Sequence, residues 1–131
     1  MKKKVFVTRR LLKENEEKLK ELFEVTLNKE DKIYNPQEII DGSKNYDGIL
    51  SSVSDPISAD TISKLSSSIK IIANGAVGFG NIDIKAAKEK GITVTNTPDV
   101  LTDATADIQI LLLLGASRKA YEGRIAAETQ S

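Results

Sequence analysis

The stretch Ala73-Asn74-Gly75-Ala76-Val77-Gly78-Phe79-Gly80-Asn81-Ile82-Asp83 carries the clearest chemical signal in the chain. Its three glycines lie between an apolar run, Ile69-Lys70-Ile71-Ile72, that reads as a buried strand, and residues 84–91, which read as a helix closed by Gly91. Glycines let a ligand approach the main chain closely. Successive backbone N–H groups in such a loop can converge into a concave nest for an anion. The chemistry this permits is the holding of a small acid by its carboxylate. Converting that acid is another matter, because the stretch offers no side chain able to do chemistry on it.

The elements around the loop explain how it is positioned. Val5-Phe6-Val7 is a β-rich run, and residues 11–23 place Leu11, Leu12, Leu19, Leu22 and Phe23 on roughly one helical face. Residues 24–27 read as a second strand. Residues 36–42 read as a short helix that begins on Pro36 and ends on Gly42. Residues 47–51, 69–73 and 92–95 read as three more strands, and residues 58–65 as a helix with Ser58 as its N-cap. Strands alternating with helices in this way predict an α/β fold with a parallel, doubly wound sheet. Ligands of such sheets gather at the carboxyl ends of the strands. That draws attention to residues 51–56, 73–81 and 96–102. There, Asn74 and Asn81 read as caps of their loop. Beyond Pro98 the pattern changes: residues 103–128 contain no proline and read as one long helix, with Gly115 and Gly123 the only breakers. Leu111, Leu112, Leu113 and Leu114 cover every side of that helix, so one side is expected to pack on something beyond its own domain. No strand follows, and the end of the chain reads as a cut.

Composition narrows the function. At 131 residues the chain is one domain by size, and its 19 basic residues balance its 19 acidic ones. Lys2-Lys3-Lys4 reads as a solvated strand entrance, with no arginine or aromatic stripe beside it, so no nucleic-acid or anionic-membrane partner is expected. The absence of cysteine and histidine removes thiol nucleophiles, disulfides, imidazole acids and the commonest zinc ligands. It fits a cytoplasmic protein. No secretory signal is apparent, and the apolar run at residues 110–114 is far too short to span a bilayer. A phosphate receiver would need acidic residues after the first strand and an aspartate ending the third, where Thr8-Arg9-Arg10 and Ser51-Ser52 stand instead. A flavin-binding loop is equally unsupported.

The ordered series Gly75-Ala76-Val77-Gly78-Phe79-Gly80-Asn81-Ile82-Asp83, Ala86-Ala87, Gly91-Ile92-Thr93-Val94-Thr95-Asn96-Thr97-Pro98, Ala104-Thr105-Ala106-Asp107 and Arg118 resembles the D-isomer-specific 2-hydroxyacid dehydrogenases. Within that family it looks closest to the glyoxylate and hydroxypyruvate reductases. The resemblance implies a flavodoxin-like substrate domain over residues 1–101, with a five-stranded parallel sheet. A long crossing helix over residues 102–131 would lead toward a Rossmann domain that is missing here. It implies that the backbone N–H groups of Val77 and Gly78 bind the substrate carboxylate. The loop carrying Val53 and Ser54 would wall the pocket and bind the substrate too, through a backbone or hydroxyl contact, and Thr105 would face the nicotinamide ribose of NAD or NADP. Arg118 would sit near the interdomain hinge. The crossing helix would build a homodimer.

Asp107 departs from the family's usual glutamate, and no G-x-G-x-x-G fingerprint appears anywhere. The family's catalytic arginine, glutamate and histidine have no counterparts. The expectation is therefore an NAD(P)-dependent oxidoreductase as parent, reducing a 2-oxo acid such as glyoxylate or hydroxypyruvate. The 131-residue chain alone would have no catalytic residues, bind no cofactor and be inactive. The rival is a non-catalytic flavodoxin-like module that binds or associates.

Overall fold

The structure is a computed structural model and describes residues 1–129. The elements run β1 (Lys4–Val7), α1 (Lys13–Leu22), β2 (Glu24–Thr26), α2 (Pro36–Gly42), β3 (Gly48–Ser51), α3 (Ala59–Lys64), β4 (Ile71–Asn74), α4 (Ile84–Glu89) and β5 (Thr93–Thr95). All strand pairs are parallel, in the order β2-β1-β3-β4-β5. This is the α/β, flavodoxin-like sheet expected from the alternation of elements.

Register explains how the sheet is covered. Phe6, Ile49, Ile72 and Val94 lie side by side across four strands. They share one face, since side chains alternate along each strand. That face packs against Ile39 and Ile40 of α2, Ile62 of α3 and Ala87 of α4, with Ile57, Leu65, Ile69, Ile82 and Ile92 filling between. Phe6 adds rings to it, stacking on Tyr34 at 5.7 Å and tilting against Tyr46 at 5.6 Å. The opposite row runs Val5, Gly48, Ile71, Thr93. The connection from β1 to β2 runs toward one edge and the later ones toward the other. Right-handed crossovers therefore place α1 alone on this second face. Cover there is thin: Ile71 is 40% exposed, and Leu11, Leu19 and Leu22 line an open groove with Leu50.

Helices α2, α3 and α4 start where side chains satisfy their first N–H groups. Asn35 and Glu38 form a reciprocal capping box ahead of Pro36. Ser58 accepts from the Thr61 N–H, and Asp83 from the Ala86 N–H. Gly91 ends α4 with φ of +73°, a conformation a side chain would disfavour. Lys90 spends its three donors on the carbonyls of Ile62, Ser63 and Leu65 at the end of α3, favourable for a cation at a helix C-terminus.

The chain divides into two compact units, Met1–Pro98 and a second from Asp99 onward. The second corrects the expectation of one long helix. It holds α5 (Thr102–Ser117) and α6 (Ala120–Thr129). The break falls at neither Gly115 nor Gly123 but at Lys119, whose φ is +51°. Just before it, the Ser117 hydroxyl donates back to the Leu113 carbonyl at 2.5 Å, and the Lys119 N–H bonds Ala116 in a tightened last turn. Among the described residues no helix is long and apolar enough to cross a membrane, and no cluster of acidic side chains could hold a metal ion.

Candidate functional site

The carboxyl ends of β3 and β4 lie side by side, and the site grows from them. Pairing continues past the strands, because the Gly75 N–H donates to the Ser51 carbonyl at 2.8 Å. The main chain then turns through residues 76–80, and its carbonyls are taken one after another. The Thr97 N–H donates to Ala76 O at 2.9 Å, Asn96 Nδ2 to Val77 O at 2.7 Å, and Asn74 Nδ2 to Gly78 O at 3.0 Å.

The N–H groups of Val77, Gly78 and Phe79 show the opposite condition. None has a hydrogen-bond acceptor among the described residues. No peptide bond here is cis, and in a trans peptide the N–H points opposite to the C=O. Each donor that holds a carbonyl of residues 76–78 therefore turns the N–H of the following residue away from itself. Consecutive free N–H groups of this kind attract an anion. Gly78 is exposed and Val77 half-buried, so the donors are accessible. Phe79 and Asn96 also line a groove of about 530 Å³ between α4 and β5.

The neighbouring loop, residues 52–55, is built on a buried carboxylate. Asp55 Oδ2 accepts from the Ser52 N–H at 2.7 Å and from the Thr8 hydroxyl at 2.5 Å. Asp55 is fully buried, and its Oδ1 has no partner among the described residues. Val53 projects outward, 66% exposed. The Ser54 hydroxyl accepts from an Arg9 Nη at 2.8 Å, while the rest of that guanidinium grips Asp31 through two bonds of 2.9 and 3.1 Å. The Arg9 hydrogen bonds, with help from the Arg10 N–H, hold the Asp31 carboxyl down to about 2. Asp31 in turn raises Arg9.

Asn81 stitches the two loops together. Its Nδ2 donates to the carbonyls of Ser52 and Asp55 at 3.0 and 3.1 Å, and its Oδ1 accepts from buried Asn74 at 3.0 Å. Of the residues singled out from sequence, Val53 and Ser54 thus lie on a loop tied directly to the one carrying Val77 and Gly78. Thr105 lies on α5 in the second unit and is exposed. Arg9, Asp31, Asp55 and Asn96 were not singled out. Arg9 and Asn96 each follow the last residue or two of a strand at its carboxyl end, which is the one signal that could have found them.

The site holds no imidazole and no thiol, and the sequence contains neither. It also lacks the glycine spacing that cradles a dinucleotide pyrophosphate, so these residues do not fit a nicotinamide cofactor by themselves. What the arrangement can do is hold and orient a small carboxylate.

Comparison with known proteins identifies the family. Residues 5–129 match the family model of the D-isomer specific 2-hydroxyacid dehydrogenase catalytic domain. A glyoxylate reductase from Korarchaeum cryptofilum (strain OPF8) is 41% identical over 122 residues, spanning 93% of this chain and 36% of the relative. A glycerate dehydrogenase from Hyphomicrobium methylovorum is 34% identical over 130 residues, 99% of this chain and 40% of the relative. Among solved structures, one described as a D-isomer specific 2-hydroxyacid dehydrogenase, NAD-binding, from Polaromonas sp. JS6 66 superposes with a TM-score of 0.87. It has 35% identity and covers all of this chain and 41% of its own. The chain therefore spans little more than a third of the length of the curated relatives it matches.

Proposed function

Since this chain belongs to the D-isomer specific 2-hydroxyacid dehydrogenase family, we propose that it forms the acid-binding part of an NAD- or NADP-dependent oxidoreductase. Its substrate would be a small 2-oxo acid such as glyoxylate or hydroxypyruvate. The observation that carries this reading is the row of unpartnered N–H groups at Val77, Gly78 and Phe79. In this reading Val77 and Gly78 bind the carboxylate, and the loop of Val53 and Ser54 walls the pocket and adds a backbone or hydroxyl contact to the substrate. Thr105 faces the cofactor. Hydride transfer by the family's route would need a histidine acid and a dinucleotide fingerprint, neither of which these 131 residues contain. The chain alone would bind acid and turn nothing over. A cysteine-free composition suits a cytoplasmic setting.

Titration with oxalate, followed by amide NMR, tests the binding step. Backbone donors without a covering domain should bind no better than about millimolar, roughly 4 kcal/mol. Shifts should concentrate at Val77, Gly78 and Phe79, with a smaller response at Val53 and Ser54. Shifts confined to other parts of the chain would refute the site. Glyoxylate-dependent oxidation of NADH or NADPH by the purified chain should stay at the blank.

A homodimer through α5 accompanies this reading. Ile108, Leu111, Leu112 and Leu114 are all more than half exposed. Burying one leucine contributes about 1.5–3 kcal/mol, and a two-fold contact would cover the same residues in both copies at once. Leu112→Glu should shift the protein toward monomer in sedimentation equilibrium. A wild-type chain that is already monomeric at tens of micromolar would exclude the dimer. The same exposed leucines also favour the second reading, an association module without enzymatic function. Failure of oxalate to bind in a chain that still dimerises would select it.

A further inference from the structure

The middle N–H of the nest belongs to the peptide joining Val77 to Gly78. Its direction is open to change in a way that its neighbours' directions are not. A peptide plane between two fixed Cα atoms can turn over by changing ψ of the first residue and φ of the second, as in the exchange between type I and type II turns. For an ordinary second residue the turned form is excluded, because it needs positive φ. Glycine accepts it. Gly78 has a negative-side conformation here, and nothing lies within 4 Å of where its Cβ would stand. Neither its own stereochemistry nor a packed wall holds this plane.

What holds it is the bond from Asn96 Nδ2 to Val77 O, at 2.7 Å. Asn96 is well placed to give it. β5 pairs with β4 up to Ala73 and Thr95, and the Thr97 N–H bonds Ala76 O just beyond. Asn96 is thus fixed on both sides by main-chain pairing, and its side chain reaches across to the next carbonyl. The flanking planes have their own holders, Thr97 for residues 76–77 and Asn74 for residues 78–79.

We infer that Asn96 is a positioning residue: its amide locks the Val77–Gly78 peptide so that the Gly78 N–H stands with its neighbours toward the bound acid. The functional meaning of that lock rests on the acid-binding reading above. The orientation itself does not, and the two are tested separately.

Residual dipolar couplings report the direction of the Gly78 N–H vector without any ligand. In Asn96→Ala the Gly78 coupling should leave its wild-type value or average toward zero, while couplings in β3 and β4 stay unchanged. Adding Gly78→Ala should restore the wild-type direction, because alanine disfavours the turned plane. Oxalate affinity of the single variant should fall about tenfold, the effect of misdirecting one donor to a charged group. Asn96→Asp keeps the size but cannot donate, and should behave like Asn96→Ala. In the wild-type chain, a scalar coupling across the Asn96 Nδ2–H to Val77 carbonyl bond should be detectable even if neither variant folds.

An unchanged Gly78 coupling in either variant, or no coupling across the bond in wild type, overturns the inference. A Gly78 vector that turns in the variants, in a chain whose wild-type form shows no oxalate shifts at residues 77–79, upholds the lock and refutes the acid-binding reading instead.

Discussion

The loops that follow β3 and β4 lie against each other yet are held in different ways. In residues 76–79 the carbonyls are occupied and the N–H groups of Val77, Gly78 and Phe79 are free. In residues 52–55 the N–H groups of Ser52 and Asp55 are spent inside the loop, and the Ser52 and Asp55 carbonyls are taken by Asn81. The first loop leaves three consecutive N–H groups without an acceptor among the described residues, whereas the second leaves two, those of Val53 and Ser54, between donors that close it on itself. The difference separates a loop whose carbonyls are held from outside from one folded on itself around the Asp55 carboxylate, though both occupy equivalent ends of neighbouring strands.

Cutting the seam between the loops should give the largest effect. Asn81→Leu would leave the Asp55 carbonyl without its donor and take one of two hydrogen bonds each from the Ser52 carbonyl and the Asn74 amide. Each orphaned buried group costs about 1–3 kcal/mol, so the expected loss is about 3 kcal/mol in urea unfolding. A loss below about 0.5 kcal/mol would show that the loops stand independently. A milder substitution sharpens the contrast. Ser54→Ala removes the acceptor of one Arg9 bond and should lower stability by about 1 kcal/mol, yet change oxalate affinity by less than about twofold. A loss of affinity as large as that expected for Asn96→Ala would make the 52–55 loop a binding element in its own right.

The smallest effect concerns acid. Folding lowers the Asp31 carboxyl from 3.8 to about 2 through Arg9. Its contribution is therefore complete above its unfolded value near 3.8, and disappears as the pH falls toward about 2. The pair is partly solvated, with side chains 27% and 33% exposed, so the effect is modest. Asp31→Asn should flatten the stability profile between about pH 4 and pH 2 relative to wild type. Parallel profiles would show that the Arg9 tether is electrostatically idle.

The sheet was legible from sequence because each strand is a short apolar run flanked by turn residues, a purely local pattern. The glycine loop was legible for the same reason. The polar groups that make it a site were not. Arg9 meets Ser54 across 45 residues, and Asn96 meets Val77 across 19. Such pairings exist only once β1, β3, β4 and β5 are in register. The interruption at Lys119 was hidden differently, since no glycine or proline marks it and the turn is set by a serine hydroxyl and a lysine in a left-handed conformation.

The all-parallel sheet has a kinetic consequence. No strand can find its neighbour through a tight hairpin, and every pairing waits on a crossover. β1 is the extreme case, because Val5 pairs with Gly48, and both its neighbours arrive only after a helix has been traversed. Closing such long loops costs entropy before any ladder bond is made. Chains of this topology acquire such long-range pairings late and fold on millisecond or slower timescales, where a helical bundle of equal length needs microseconds to milliseconds. The β1 carboxyl end, which supplies Thr8 to Asp55 and Arg9 to Ser54, is then a late arrival, and the wall beside the nest closes after the β3–β4 pair that carries both loops has formed.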